Sequence, residues 1–394
     1  MSISEQIKSS IENSSWIRKM FEEGSRRIAE FGAENVFDFS IGNPVFEPPT
    51  EVKESLKKLA DSDEKGMHRY MPNAGYNQTR LFIAEKLSKE SDLSFEKNDV
   101  VMTVGAGGGL NVVLKTLLNP GDEVIVFTPY FLEYNSYIVN HGGVVRQVKT
   151  TEKFQLDLNE LEKKISLKTK VVLINSPNNP TGVVYPQKDL KQLAEILNKK
   201  SRENKRAITL LSDEPYKKII YQDKVPNLFD IYDNTIVVTS SSKDLALPGE
   251  RIGYLAISPK HQDRSIIAEG SVIALRILGF VNAPAFMQRL LPLVNDAQVD
   301  LEPYRLNREI LYNHLVGVGF DLVKPDGAFY MFPKSPIEDD VKFVQEAQEF
   351  NLLLIPGSGF GKKGYFRIAY CFETEMIKRS LPLFTKLAKK YKLS

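Results

Sequence analysis

Cysteine is almost absent from this chain, since Cys371 is the only one among 394 residues. A single cysteine excludes a disulfide within the chain and is typical of proteins in a reducing compartment. Histidine is also scarce, and its four positions show none of the spacings that metal sites use. They are His68, His141, His261 and His314. The sequence therefore predicts neither a disulfide scaffold nor a metal site.

The chain also lacks an excess of charge of one sign and any long apolar segment. Its 52 basic and 50 acidic residues leave a net charge of +2, too little to attract nucleic acid or an acidic membrane. The apolar stretch 270–286 carries Arg276 in its middle, which argues against a membrane span. Because residues 1–8 lack the apolar core of a signal peptide, we expect a cytoplasmic protein.

Apolar residues make up 42% of the chain, and many occur in short runs separated by helical patterns such as 111–118 and 190–199. Most of these runs are apolar and β-branched on successive positions, as in strands that helices cover on both faces. The alternation predicts a three-layer α/β domain with a mostly parallel, seven-stranded sheet and ligands at the carboxyl ends of the strands. The predicted strands are 100–103, 123–127, 144–148, 171–174, 208–211, 236–238 and 252–256.

The two ends of the chain show a different pattern. Residues 1–35 carry apolar side chains at roughly helical spacing, and a loop rich in proline follows at 40–49. Beyond about residue 290, a long helix is predicted over 297–316 and strands over 327–332 and 365–369. This part of the sequence indicates a second, smaller α+β domain.

The segment Ser240–Arg251 carries the most informative polar residues. Lys243 follows a strand-like run, and Arg251 lies eight positions further on. A lysine at a strand end can form a Schiff base with an aldehyde, and a nearby arginine can bind a phosphate with two hydrogen bonds. Pyridoxal phosphate carries both groups, so the segment favours an anchor for that cofactor. A solvated loop lysine is the ordinary alternative.

Polar side chains follow two other predicted strands. Asn179, in the turn 175–182, has an amide that could donate to a phenolate-like oxygen. Asp213 could keep a pyridine nitrogen protonated, and Tyr216 could bond to the neighbouring ring oxygen O3′. The alternatives are a plain turn for the first segment and a helix N-cap for Asp213.

Three further features bear on the same hypothesis. The glycine-rich segment 103–110 joins a strand to a helix, where backbone N–H groups could approach a phosphate or could simply form a tight turn. Phe131 could stack on a cofactor ring or belong to the core. Arg367 lies inside an apolar strand, where a substrate α-carboxylate or an internal acidic residue would have to pair with it.

Together the segments Asn-Asn-Pro-Thr-Gly, Asp-x-x-Tyr and Ser-x-x-Lys-x-x-x-x-Pro-Gly-x-Arg resemble those of the fold-type I pyridoxal-phosphate aminotransferases, class I/II of the aspartate aminotransferase superfamily. The resemblance covers nearly the whole chain in the same order. It implies a cofactor-binding large domain over 46–288, a small domain built from 1–45 and 289–394, and a homodimer with shared active sites. It also implies a ping-pong transfer of an amino group from an L-amino acid to a 2-oxo acid.

The resemblance assigns roles by position. Lys243 would bind the cofactor covalently and shuttle a proton between the substrate Cα and the cofactor. The residues that would contact the ring are Asp213 at its nitrogen, Asn179 and Tyr216 at O3′, and Phe131 on its face. The phosphate would be bound by Gly105, Ala106, Gly107, Ser240, Ser242 and Arg251, with Tyr70 reaching the neighbouring subunit's phosphate. The substrate carboxylate would be bound by Arg367, Gly42 and Asn179.

The substrate and the reaction remain open to alternatives. Glycine and alanine occupy phosphate-turn positions where some members have a hydroxyl, so Ser240 and Ser242 gain importance. Arg276 lies about one residue from the position of a second arginine that dicarboxylate-specific members use. Aspartate leads among dicarboxylic, aromatic and alanine-type donors, with 2-oxoglutarate as the acceptor. A C–S lyase of the same fold is the alternative enzyme; a ligand-sensing regulator is less favoured, because we expect no DNA-binding module before the fold.

Overall fold

A computed structural model describes residues 2–12, 16–62, 64–221 and 224–393. The helices are, in chain order, α1 (Glu5–Glu12), α2 (Trp16–Phe31), α3 (Thr50–Ala60), α4 (Asn77–Glu90), α5 (Gly105–Leu117), α6 (Glu133–Val139), α7 (Leu158–Lys164), α8 (Gln187–Glu203), α9 (Arg264–Ile277), α10 (Ala285–Leu290), α11 (Glu302–Gly317), α12 (Asp340–Ala347) and α13 (Thr374–Lys390). The strands are β1 (Phe37–Asp38), β2 (Val100–Val104), β3 (Glu123–Thr128), β4 (Val144–Lys149), β5 (Thr169–Asn175), β6 (Thr209–Asp213), β7 (Thr235–Ser240), β8 (Ile252–Ile257), β9 (Tyr330–Met331), β10 (Leu352–Leu353), β11 (Ile355–Pro356) and β12 (Phe366–Ala369).

The centre of the molecule is a seven-stranded sheet in the order β2-β8-β7-β6-β5-β3-β4. The pairs from β7 across to β4 are parallel, whereas β8 runs antiparallel to both of its neighbours. Each of the seven strands predicted for this sheet is present within a residue or two of its expected bounds. The prediction of an α/β fold with a mostly parallel sheet is therefore confirmed.

Helices cover both faces of this sheet, which explains why its strands are apolar on successive positions. In β5, Val171 and Leu173 pack in a cluster with residues of α5, α6 and α9. The alternate residues Val172 and Ile174 face the other way, into a cluster that includes α7 and α8. The strand period of two thus sends neighbouring side chains into two separate cores.

Helix α5 begins earlier than its sequence pattern predicts. The glycine-rich segment expected as a turn forms the first turns of the helix, which starts at Gly105 and not at 111. A Cβ atom on Gly109 would lie 2.7 Å from Val238 of β7. Glycine is needed there because the helix lies directly on the sheet, so packing overrides the low helix propensity of this residue.

The remaining strands form two small sheets from distant parts of the chain. Strands β11, β12 and β9 form an antiparallel sheet, and β1 pairs in parallel with β10. The strand predicted over 327–332 is shorter, and α11 begins five residues later than expected, with a proline in its first turn. The division into domains at residues 45 and 288 stays a prediction.

Two classes of feature are not found within the described part of the chain. No helix there combines the length and the hydropathy that crossing a bilayer requires. No group of three or more acidic, histidine or cysteine side chains there could hold a metal ion.

Candidate active site

The carboxyl ends of the central strands bring the predicted site residues to one edge of the sheet. Asn175 at the end of β5 lies opposite Asp213 at the end of β6, which in turn lies opposite Val238 of β7. After β7 the chain continues through Ser240 into the turn that carries Lys243. Because β2 and β7 are both antiparallel to β8, the start of α5 reaches the same edge.

Asp213 is a buried carboxylate with one satisfied oxygen. The Tyr134 hydroxyl donates to Oδ2 at 2.5 Å, whereas Oδ1 has no hydrogen-bond partner among the described residues. Burial raises the pKa of Asp213 to about 7, opposed by the Tyr134 hydrogen bond and assisted by the negative charge of Glu214. A buried acceptor without a donor favours a ligand that brings one, such as a protonated ring nitrogen.

A turn with hydroxyl, guanidinium and backbone N–H groups lies beside the start of α5. The Ser240 hydroxyl donates to the Ser242 hydroxyl at 3.1 Å. The guanidinium of Arg251 packs so closely on Gly105 that a Cβ atom there would lie 2.6 Å from it. Gly105, Ala106 and Gly107 are the first three residues of α5, whose free N–H groups attract an anion. The groups predicted to bind phosphate are thus close together.

The ammonium of Lys243 is buried and has no carboxylate of the described residues in hydrogen-bond contact. It donates to the carbonyl oxygen of Gly42 at 2.7 Å and lies 5.5 Å from the centre of the Phe329 ring. Burial lowers the pKa of Lys243 to about 8, and the positive charges of Arg251 and Arg367 lower it further against an opposing effect of Cys371. A lysine with a lowered pKa is a better nucleophile and base near neutral pH.

Arg367 is buried without an acidic partner. One guanidinium nitrogen donates to the Asn179 side-chain oxygen at 3.0 Å, and another donates to the carbonyl oxygen of Ser40. Tyr330 and Phe360 flank the guanidinium, with each ring centre 4.7 Å away. The Nε atom has no partner among the described residues, and no carboxylate there forms an ion pair with Arg367. The charges of Asp38 and Glu133 act on Arg367 only beyond ion-pair distance, so a ligand carboxylate fits the site as its direct partner.

Tyr216 and Gly42 meet at a third side chain, Tyr330. The hydroxyl groups of Tyr216 and Tyr330 are 2.8 Å apart. A Cβ atom on Gly42 would lie 2.0 Å from the Tyr330 hydroxyl, so the absence of a side chain lets Tyr330 reach this position. The two tyrosines and Arg367 consequently form one connected group.

Three residues considered from the sequence make none of the polar contacts described above. Phe131 is half-buried and packs edge-on against Tyr134, with ring centres 5.6 Å apart. Tyr70 is 91% exposed, and Arg276 is exposed near the end of α9 without an ion pair to any described residue. Within the single chain, the side chains of Tyr70 and Arg276 therefore face solvent and contact none of the other predicted site residues.

Sequence patterns missed several side chains that complete the site. Tyr134 donates to Asp213, and Tyr330 and Phe360 enclose Arg367, yet none of these was predicted. Tyr134 lies three positions after Phe131, which is the spacing of neighbouring side chains on a helix, so the sequence could have indicated that the two rings contact each other. Tyr330 lies in an apolar run that reads equally well as core, so its role becomes visible only when strand β12 brings Arg367 next to it.

The geometry agrees with the comparison to known proteins. The sequence model of the family described as aminotransferase class I and II matches residues 34–381, well over half of the chain. This chain belongs to that family. The aminotransferase described here is 31% identical over 399 residues to the aspartate aminotransferase of Pyrococcus abyssi, with 97% of each chain covered.

Solved structures extend the comparison of this aminotransferase to the backbone. An aminotransferase from Eubacterium rectale is 40% identical and superimposes with a TM-score of 0.96, with 99% of each chain covered. The aspartate aminotransferase of Thermus thermophilus with maleate is 26% identical, with a TM-score of 0.87 over 98% of this chain and all of the other. The protein is thus an aminotransferase in both sequence and fold.

Proposed function

We propose that this aminotransferase binds pyridoxal 5'-phosphate at the edge of the sheet described above. Three features fit that cofactor: the unpartnered Oδ1 of Asp213, the close packing of Arg251 on Gly105, and the lowered pKa of Lys243. The Asp213 oxygen would bind the ring nitrogen, Arg251 would bind the phosphate, and Lys243 would react with the aldehyde. The unpartnered Asp213 oxygen carries the most weight, because a buried acceptor is costly unless a ligand satisfies it.

Each of these residues has a defined task in the proposal. Asp213 would hold a proton on the ring nitrogen, while Asn179 and Tyr216 would donate to the ring oxygen and Phe131 would cover one face. The first turn of α5 would bind the phosphate with the side chains of Ser240, Ser242 and Arg251. Lys243 would form the covalent link.

The proposed chemistry assigns two tasks to side chains of the chain. When bound, the cofactor supplies an electron sink for the electron pair left at the substrate Cα. Once the substrate amino group has replaced Lys243 in the covalent link, the freed amine of Lys243 would accept the proton from that Cα as a positioned base, a contribution typically worth ~10²–10⁴-fold in rate. Arg367 and Asn179 hold the α-carboxylate, so that the Cα–H bond points toward Lys243.

We propose aspartate as the leading amino donor and 2-oxoglutarate as the acceptor. Support comes from the P. abyssi and T. thermophilus relatives, which are both named aspartate aminotransferases, the latter with the dicarboxylate maleate. Arg367 donates to Asn179, which supports its role in binding the α-carboxylate, whereas Arg276 is exposed. We propose that a group from a neighbouring chain binds the second carboxylate.

A homodimer would supply such a group. Helix α9 exposes Ile266, Ile273 and Ile277, with 69%, 57% and 63% of their surfaces accessible. Exposed aliphatic side chains on one helix support a protein interface, and Tyr70 would reach the neighbouring subunit's phosphate. We also propose a large domain over residues 46–288 and a small domain built from residues 1–45 and 289–394. We further propose a cytoplasmic location, which the scarcity of cysteine supports.

An activity panel tests the proposal directly. Purified protein with added cofactor is incubated with single L-amino acids and 2-oxoglutarate, and glutamate is measured. Glutamate that forms with aspartate and depends on 2-oxoglutarate supports the proposed transfer. Pyruvate and ammonia released from cystathionine without an acceptor would instead support a C–S lyase.

A further inference from the structure

Two side chains of the candidate site are held by carbonyl oxygens of one short segment, residues 40–42. The Ser40 carbonyl oxygen accepts a hydrogen bond from Arg367, and the Gly42 carbonyl oxygen accepts one from Lys243. This segment follows β1 and belongs to neither a helix nor a strand, so regular backbone pairing does not set its direction. The position of the Arg367 guanidinium therefore depends on what fixes Ser40.

The backbone is paired up to Phe39 and then leaves the strands. The Phe39 N–H donates to the carbonyl oxygen of Leu353 at 3.0 Å, and its carbonyl oxygen accepts from the N–H of Ala369 at 2.9 Å. Ser40 comes next and is fully buried. Its N–H and hydroxyl groups need an acceptor there, because a buried donor without a partner destabilises the folded state.

Asp38 supplies that acceptor. Its Oδ1 atom accepts from the Ser40 N–H at 2.8 Å and from the Ser40 hydroxyl at 2.5 Å. A carboxylate that accepts from the N–H two residues further on closes a tight turn, and this turn directs the Ser40 carbonyl oxygen toward Arg367. Burial raises the pKa of Asp38, an effect that the hydrogen bonds from Ser40 and the charge of Arg367 oppose.

Helix α2 covers the Asp38 carboxylate from the other side. A Cβ atom on Gly24 of α2 would lie 3.1 Å from Oδ2 of Asp38 and 3.0 Å from the Leu353 side chain, so the glycine allows a close approach of the helix. Asp38 is itself paired with Leu353 across β1 and β10. Since helix and strand both restrict it, the carboxylate has little freedom to turn away from Ser40.

We propose that Asp38 is a positioning residue for the substrate α-carboxylate, acting through Ser40 on Arg367. The inference rests on the proposed function, in which Arg367 binds that carboxylate. The hydrogen bonds of Asp38 carry the effect and its charge does not, because Asp38 and the guanidinium interact only beyond ion-pair distance. Loss of these bonds weakens carboxylate binding in the ground state and the transition state alike, so KM rises while kcat changes little.

Two substitutions of Asp38 separate hydrogen bonding from charge. Asp38→Asn keeps an oxygen that accepts from Ser40 and removes the charge, so the KM for aspartate should stay within about threefold of normal. Asp38→Glu keeps the charge but cannot close the same turn, so KM should rise about tenfold with kcat within about threefold. A raised KM in Asp38→Asn together with a normal KM in Asp38→Glu would overturn the inference.

Asp157→Ala is the matched control for Asp38→Ala. Asp157 is also half-buried and accepts from a backbone N–H, that of Glu160 at 2.9 Å, but it lies at the start of α7, which packs on α8 and β4. Both alanine variants should lower the melting temperature, whereas only Asp38→Ala should raise KM about tenfold. Equal KM values in the two variants would mean that Asp38 only stabilises the fold.

A ligand that binds without reacting separates this inference from the proposed function. 2-Methyl-L-aspartate has no proton on Cα, so calorimetry with the holoenzyme measures binding alone. Asp38→Ala and Asp38→Glu should bind it about tenfold more weakly than the unmodified protein, and Asp38→Asn nearly as well. Equal binding by all four proteins would overturn the inference and leave the proposed function standing. Absence of binding by the unmodified protein would contradict the carboxylate site itself, and both proposals with it.

Discussion

Arg367 is the residue on which substrate binding depends most directly in this account. It is buried, it contacts two neutral oxygens, and it has no acidic partner among the described residues. Arg367→Ala should raise the KM for the amino donor roughly ten- to hundredfold, since a hydrogen bond to a charged group contributes about 1.5–3 kcal/mol. Steady-state kinetics with aspartate measures this change.

Arg367→Lys is the matched control for that substitution. It keeps the positive charge but loses the planar, two-pronged geometry, so its KM should lie between those of the unmodified enzyme and the alanine variant. A KM close to normal in Arg367→Ala, with the folded state intact by circular dichroism, would show that another group binds the carboxylate.

Asp213 gives a pH-dependent prediction for the protein without cofactor. Its folded-state pKa of about 7 lies above the ordinary value of 3.8, so the folded state binds this proton more tightly than the unfolded state. The contribution of this group to stability is therefore lost as pH rises from about 4 to about 7. The loss amounts to roughly 1.4 kcal/mol in the free energy of unfolding for each pH unit between these two values. Asp213→Asn should remove this pH dependence.

Denaturant unfolding of the cofactor-free protein measures this effect at pH 5 and pH 7.5. The free energy of unfolding of the unmodified protein should fall relative to that of Asp213→Asn between the two values. A constant difference between the two proteins would mean that the carboxyl group keeps an ordinary pKa.

At the scale of elements, the contact between α5 and the lysine turn depends on a glycine. Gly105 has a φ of +67°, and a Cβ atom there would lie 2.6 Å from the Arg251 guanidinium. Gly105→Ala should displace Arg251 and weaken cofactor binding about tenfold or more, because the guanidinium provides a charge-assisted contact to phosphate. Gly249, in the same turn, has open space where a Cβ atom would lie, so the Gly249→Ala variant should bind the cofactor normally.

Fluorescence titration of the cofactor-free proteins compares the two glycine variants. A dissociation constant for Gly105→Ala equal to that of the unmodified protein would show that the start of α5 does not position Arg251 for the phosphate. A similar loss in both variants would indicate a general sensitivity of the turn.

The elements of the central sheet could be predicted from the sequence, because each strand is a local apolar run of β-branched residues. The order of motifs along the chain also located Lys243, Asp213 and Arg367. Contacts between distant residues could not be predicted in this way: Tyr134 and Asp213 are 79 positions apart, and Tyr216 and Tyr330 are 114 apart. Their pairing depends on the strand order, which no local pattern contains.

At the scale of the whole molecule, the exposed Tyr70 and the exposed isoleucines of α9 support the proposed homodimer. We predict a particle of twice the chain mass of 44.6 kDa in sedimentation. Tyr70→Phe should weaken cofactor binding about tenfold, as expected for one lost hydrogen bond to a charged group, without changing the particle mass. A monomer with full activity would contradict the shared site.

The most direct measurement concerns the lysine itself. Holoenzyme reduced with borohydride, digested and mapped by mass spectrometry should carry the cofactor mass on the peptide that contains Lys243. Lys243→Ala should lose this label, the visible absorbance band and the amino transfer together. A label on a different lysine, or an unchanged spectrum in Lys243→Ala, would contradict the assignment of this turn as the centre of the active site.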